Sequence, residues 1–242
     1  MTDNMIETPE AHARDPREAF AHVDTWVFDL DNTLYPANSA IFPQIHTRIT
    51  DYVAEALGLE REEARTVQTD YYKKYGTSLR GLMTEHGVSP DEFLAYVHDI
   101  DHSPLEPNPE LGAAIDALPG RKLVLTNGTR LHAENILDRL GIADHFEGKF
   151  GIIEAGFTPK PERENYDIFM RLHDVDASRS AFFEDLAVNL VVPHQLDMVT
   201  TLVVPPGTRE VLHGEWEMEG QGSDPNVDFV TEDLTAFLRS AR

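Results

Sequence analysis

The sequence predicts an α/β fold: a parallel sheet covered by helices on both faces, with a helical insertion lodged after its first strand. Three observations carry this expectation. Short runs rich in branched and aromatic residues read as fully buried strands, at TWVFDL (25–30), KLVLTN (122–127), AFFED (181–185) and VTTLVV (199–204). Helical patterns lie between several of them, the alternation that a parallel sheet requires. The stretch 36–107 is far longer than one crossover needs and holds no convincing strand.

Taken in order, residues 1–20 (MTDNMIETPEAHARDPREAF) are polar and acidic and read as a flexible tail. The α/β core is expected over 21–35 and 108–242, interrupted by the helical insertion 36–107. Within the insertion, helices are expected near Ser39 to Leu57, Glu60 to Tyr75, Ser78 to His86 and Pro90 to Asp99, with PLEPNPE as the exit linker. Leu131, Ile136, Leu137 and Leu140 follow helical spacing and stop at Gly141, a residue suited to a left-handed cap. FGIIEA (150–155) and DFV (228–230) are weaker strand candidates. Tyr166, Phe169 and Met170 mark a helix starting near Pro161. After AFFED, the run Asn189-Leu-Val-Val-Pro193-His194 sets a proline where a helix should continue. An interior proline costs about 3 kcal/mol, so this helix is expected to start late or to kink. The polar, Gly/Pro-punctuated segment 205–226 is longer than most ordered loops, and its Trp216 marks either a homodimer contact or an anchor for the loop.

Composition narrows the function. With 242 residues and 41% hydrophobic content, the chain can bury one sizeable core. It has no cysteine, which excludes disulfides, thiolate metal sites and cysteine nucleophiles, and makes a reducing cytoplasm the simplest address. No window approaches the roughly 20 apolar residues that span a bilayer. The net charge of −23, from 43 acidic and 20 basic residues, argues against a nucleic-acid or anionic-membrane partner. That field also repels a phosphorylated metabolite, so such a substrate needs local compensation from a metal ion or a few cations.

Ligands of open parallel sheets bind beyond the carboxyl ends of the strands. Three buried runs finish there in polar signatures: Asp29 with Asp31, Thr126 with Asn127 and Gly128, and Glu184 with Asp185. Converging carboxylates repel one another unless a hard divalent cation, here Mg2+, sits between them. Each signature has a plain alternative. Asp31-Asn32-Thr33 could be a turn, Thr126-Asn127-Gly128 a strand end with a helix cap, and Glu184-Asp185 a solvated loop. Lys160, held out of a helix interior by Pro159 and Pro161, could be an ordinary surface lysine. Their joint order, acid pair, small hydroxyl, lysine, acid pair, favours the site.

With those four features, the sequence resembles the haloacid dehalogenase superfamily, whose motifs match Asp29-x-Asp31-x-Thr33, Thr126, Lys160 and Glu184-Asp185. The insertion resembles that superfamily's helical cap subclass, and DNTLYP, YYKKYG, LRGL and LGIADHFEG resemble its pyrimidine 5'-nucleotidase branch. The resemblance implies a Rossmann-like core and a Mg2+-dependent phosphomonoester hydrolase. Asp29 would attack phosphorus to form an aspartyl phosphate, and Asp31 would serve as general acid and then general base. Thr126, Lys160 and backbone amides around Asn127 and Gly128 would hold the phosphoryl oxygens. Mg2+ would rest on the Asp29 carboxylate, the Asp31 carbonyl and Asp185, with Glu184 bracing Lys160 or a metal-bound water. Asn189 would brace the same loop, or simply cap a helix. Arg80, in LRGL, is a candidate contact to phosphate or base, although exposed arginine is the default reading.

An acid at Asp31 fits an alcohol leaving group, which needs a proton, and not a halide, which does not. The implied substrate is a small phosphorylated metabolite, with a pyrimidine nucleoside 5'-monophosphate first. The alternatives are a phosphosugar phosphatase or mutase, and a binding module that has lost turnover. His98 and His102, one helical turn apart, read as a solvated hinge and not as zinc ligands. Val67, Tyr71, Tyr72 and Tyr75 read as a core stripe from which one tyrosine could reach the substrate.

Overall fold

The computed structural model describes residues 15–206 and 225–242. Six strands, β1 (Thr25–Phe28), β2 (Arg121–Leu125), β3 (Gly148–Phe150), β4 (Ser180–Glu184), β5 (Val199–Val203) and β6 (Phe229–Thr231), form one sheet in the order β3-β2-β1-β4-β5-β6. Every pairing is parallel. Successive side chains point to opposite faces, so each strand feeds two cores. Val27, Leu123, Leu125, Phe182 and Leu202 share one apolar cluster. Trp26, Phe28, Val124, Ala181 and Phe183 share the other.

The first of these faces is closed by α8 (Arg163–His173) and α9 (Ala187–Gln195), through residues such as Tyr166, Phe169 and Leu190. The second is closed by α6 (Pro109–Asp116), α7 (Arg130–Leu140) and α10 (Leu234–Ser240), through Leu111, Ile136 and Leu238 among others. The strand order reverses between β1 and β4, and at that switch the connections diverge and open a crevice above the strand ends.

Between β1 and β2 lie α2 (Ile41–Leu57), α3 (Arg61–Tyr75), α4 (Ser78–His86) and α5 (Pro90–Val97). They bury a third cluster of their own, with Val53, Ala64, Leu82 and Phe93 at its centre and Ile152, from the loop after β3, joining it. Glycine at 81 is required there: a Cβ would lie 2.5 Å from the Tyr71 ring, closer than atoms approach, so α3 and α4 could not pack as they do.

The structure departs from the sequence expectations at several points. The tail expected over 1–20 does not extend to its end. Pro16–Phe20 is a helix, α1, capped by Asp15, and Phe20 is buried with its ring 5.4 Å from that of Trp26. FGIIEA is not a strand: β3 ends at Phe150 and 151–156 turn, bringing Gly151 against the backbone of Gly128 and Arg130. Leu131 is 65% exposed and lies off the buried face of α7. Residues 1–14, and Trp216 with the middle of the 205–226 segment, lie outside the described residues.

Helix α9 does not start late. It follows Leu186 directly and runs through Pro193 to Gln195. Pro193 has no N–H for the carbonyl four residues back, that of Asn189. The Tyr166 hydroxyl, from α8, donates to that carbonyl at 2.7 Å and replaces the missing bond.

Candidate active site

Three strand ends and one loop bring the predicted side chains together. Asp29 follows β1, and its N–H continues the ladder to Phe183 at 2.9 Å, so its direction is set by the sheet. Glu184 ends β4 and Asp185 follows it. Lys160 arrives on the loop before α8, which Asn127 ties down twice: its Oδ1 accepts Lys160 N–H at 2.8 Å and its Nδ2 donates to the Lys160 carbonyl at 3.3 Å. The Lys160 ammonium, 2% exposed, donates to Asp29 Oδ1 at 2.7 Å, Glu184 Oε2 at 2.7 Å and the Leu125 carbonyl at 3.0 Å.

One oxygen each from Asp29, Glu184 and Asp185 lie within 4.8 Å of one another, and all three residues are buried. Burial, with Glu184 as the nearest like charge and Lys160 in partial opposition, raises the Asp29 pKa to about 7. Burial, with Glu184 and then Asp29 as neighbouring like charges, pushes Asp185 well above the usual carboxylate range. Three clustered carboxylates facing one lysine leave a deficit of two positive charges, which a divalent cation matches. Oxygen donors of this kind suit a hard ion such as Mg2+. Glu184 is committed elsewhere, to Lys160 through Oε2 and to the Leu186 N–H through Oε1 at 3.3 Å, while Asp185 Oδ2 receives the Asn32 amide at 3.3 Å. Asn32 takes a left-handed φ of 62°, which asparagine tolerates better than most residues, and so turns the chain over the acids.

Asp31 stands apart from this cluster. Its Oδ1 accepts from the Tyr35 hydroxyl and from His132 Nε2 at 3.0 Å. Burial opposes its ionisation, but the proximity of His132 and the hydrogen bonds from His132 and Tyr35 hold its pKa below the usual value. His132 lies in the first turn of α7, where Thr129 caps the helix by accepting its N–H at 3.0 Å. The His98 ring stacks on His132 at 4.6 Å, and burial with the neighbouring His132 pushes the His98 pKa down to about 3.

Above the acids opens a cavity of about 610 Å³ between the strand ends and α2 to α4. Asp29, Asp31, Thr126 and Lys160 line one end; Phe42, His46, Gln68 and Tyr72 belong to its helical wall. The Gln68 side chain is buried and its Oε1 meets Thr50 Oγ1 at 2.5 Å, leaving the other end of the amide without a protein partner among the described residues.

A family profile for haloacid dehalogenase-like hydrolases matches residues 23–190, the span that carries all of these groups. The chain belongs to this family. It is 29% identical over 175 residues to phosphate metabolism protein 8 of Saccharomyces cerevisiae, a match covering 65% of this chain and 54% of the yeast protein. The chain thus spans about half the length of that relative. Among solved structures it resembles CbbY from Rhodobacter sphaeroides in complex with phosphate, with a TM-score of 0.58, 18% identity and 90% and 99% of the two chains covered. It also resembles the magnesium-bound putative hydrolase YfnB from Bacillus subtilis, with a TM-score of 0.55, 14% identity and 91% and 99% covered. At these identities the likeness is one of fold.

Against the haloacid dehalogenase-like frame, two expected substrate contacts have other partners. Arg80 pairs with Glu162 and does not line the cavity. Of the backbone amides expected to face phosphate, the Gly128 N–H donates to Thr126 Oγ1 at 2.9 Å, while the Asn127 side chain ties down the Lys160 backbone. Asn189 lies buried along the cavity wall, and its carbonyl meets Tyr166. Of the tyrosine stripe, Tyr72 reaches the cavity, while Tyr71 packs beside the third cluster. The solvated hinge expected at His98 and His102 is corrected: His98 is half-buried and stacked, and the His102 ring lies 6.2 Å from His132. Tyr35 and His132 escaped sequence reasoning. Their signal was position: Tyr35 is four residues beyond Asp31, and His132 occupies the first turn of the helix entered from Thr126-Asn127-Gly128. No described helix is long and apolar enough to cross a membrane.

Proposed function

We propose that the protein is a Mg2+-dependent phosphomonoester hydrolase acting through an aspartyl phosphate, with a pyrimidine nucleoside 5'-monophosphate as substrate and residues 36–107 as the cap over the site. The observation that carries this reading is the separation of Asp29 and Asp31 into two environments, the first beside Lys160 in the acid cluster, the second under His132 and Tyr35. Carboxylates held so differently suit two different tasks.

Asp29 Oδ1 is occupied by Lys160, which leaves Oδ2 to attack phosphorus. Asp31, ionised in the free protein, would take a proton from the monoanionic ester as it binds, and as the P–O ester bond breaks it gives that proton to the leaving oxygen. It then takes a proton from the water that hydrolyses the aspartyl phosphate, returning Asp29 and releasing inorganic phosphate. Thr126 Oγ1 accepts from Gly128, so its own hydroxyl hydrogen is available to a phosphoryl oxygen, as is the Asn127 backbone N–H. Asp29, Asp185 and the Asp31 carbonyl would hold Mg2+, which offsets the charge of acids and phosphate together.

The cavity is of a size usual for small-molecule sites, roughly 300–1,000 Å³, and the open Gln68 amide beside Tyr72 suits the hydrogen-bonding edge of a base. The names of the yeast relative, of phosphate-bound CbbY and of magnesium-bound YfnB point the same way. The test is phosphate release from a panel of nucleotides and sugar phosphates, with and without chelator, for the native chain and Asp29→Asn. Pyrimidine monophosphates should give the highest kcat/KM, with activity lost in chelator and in the variant. Equal activity on sugar phosphates would overturn the substrate while leaving the chemistry. No metal-dependent turnover of any ester would overturn both.

A further inference from the structure

His132 is 1% exposed, and its Nδ1 has no hydrogen-bond partner. A buried imidazole in that position keeps its proton on the nitrogen that has an acceptor, Nε2, which faces Asp31 Oδ1 at 3.0 Å. The Tyr35 hydroxyl donates to the same oxygen. Two donors on one carboxylate oxygen fix the rotation of the group about its Cβ–Cγ bond. Asp31 Oδ2 is left without a hydrogen bond among the described residues, on the side towards Gly128, where a Cβ would lie 3.7 Å from it. Asp31 lines the cavity, so this is the oxygen a substrate meets. His98, at the carboxyl end of α5, holds the imidazole in place by stacking at 4.6 Å and 18°.

We propose that His132 is a positioning residue for the acid–base step: with Tyr35 it clamps Asp31 Oδ1 so that Oδ2 alone is presented to the leaving oxygen and then to water. This rests on the phosphatase reading above. It assigns a role on α7 to a residue that touches neither phosphate nor metal ligand oxygens, and it ties the acid to α5 through the His98 stack. A carboxylate free to rotate would still be present but misaimed, and general acid–base catalysis is worth about 10²–10⁴-fold.

Leaving-group dependence separates this role from simple structural support. p-Nitrophenolate departs without a proton, whereas the nucleoside alkoxide of uridine 5'-monophosphate needs one. Stopped-flow and steady-state rates should therefore be measured for the Mg2+-loaded full chain and for His132→Leu, His132→Gln and Tyr35→Phe. Wild type is expected to turn over both esters. In His132→Leu, p-nitrophenyl phosphate should give a burst of nitrophenol close to one per enzyme, followed by turnover slowed about 100-fold, because only the water step still needs Asp31. Uridine 5'-monophosphate should give no burst and a kcat lowered about 100-fold, with KM changed less than threefold. His132→Gln, which keeps an N–H donor, should recover much of the loss. Tyr35→Phe, which removes the second donor and little volume, should repeat the pattern in weaker form and keeps the test alive if the leucine variant does not fold. Equal losses on both esters without a burst, or equal rates in the Leu and Gln variants, would overturn the clamp alone. A wild type inert to both esters would overturn the phosphatase reading and the clamp with it.

Discussion

Replacing Asp29 with asparagine should abolish turnover and, in the absence of metal, make the protein more stable. The native pKa of Asp29, raised to about 7 by burial and by Glu184, lies above its unfolded value of 3.8. The folded chain therefore binds more protons than the unfolded one between these values, and stability falls as pH rises from 3.8 to 7. At about 1.4 kcal/mol per unit the ceiling of this cost at pH 8 is roughly 4 kcal/mol. Asparagine removes the ionisation while its Oδ1 can still accept from Lys160, but Lys160 loses one charge partner, so about half the ceiling, ~2 kcal/mol, is the expected gain. For a chain of this size that is a rise in Tm of about 4–8 °C. The assay is thermal unfolding in EDTA at pH 8 and pH 5, repeated in Mg2+. The advantage should shrink at pH 5, where the wild-type carboxyl is mostly protonated, and Mg2+ should stabilise wild type more than the variant. An Asp29→Asn protein less stable than wild type in EDTA at pH 8, or an advantage that grows towards acid, would refute the charge-crowding argument.

Lys160→Met leaves Asp29 and Glu184 buried without their cation; a loss of about 3–5 kcal/mol is expected in EDTA, smaller in Mg2+, and urea unfolding in both media measures it. His98→Phe should flatten the acid limb of stability. Above pH 6.5 the ring is neutral folded or unfolded, and below it only the unfolded chain takes up the proton until about pH 3. With the residue half-buried, about 1 kcal/mol of wild-type stability should disappear between pH 7.5 and 5 and be retained by the variant, as urea midpoints would register; parallel slopes would contradict this. Gln68→Leu should raise KM for uridine 5'-monophosphate about 10-fold and leave p-nitrophenyl phosphate untouched, in steady-state assays with both.

The sheet was legible because its central strands are buried on both faces, and such strands must be written in continuous apolar runs. Val27 and Phe28 serve opposite cores from adjacent positions. The acids were legible for a related reason: charges at the end of such a run need a purpose. β3 was misplaced because only Gly148–Phe150 pairs, and the apolar residues beyond it are buried by turns and by the third cluster, with no period to betray them. His98 and His132 could not be joined from sequence. They come from α5 and α7, and only the meeting of the insertion with the core brings one ring onto the other. The pairing of Arg80 with Glu162 was illegible for the opposite reason, since an arginine finds whichever carboxylate is near.

Tyr166 and Pro193 are 27 positions apart in sequence, yet the hydroxyl of one completes the backbone that the ring of the other leaves open. Neither can drift independently. Loss of the phenol strands a carbonyl inside the protein, whereas an ordinary residue at 193 makes the phenol redundant. In descendants of this gene the two sites should change together, with the helix regaining its amide first and the tyrosine relaxing to phenylalanine afterwards.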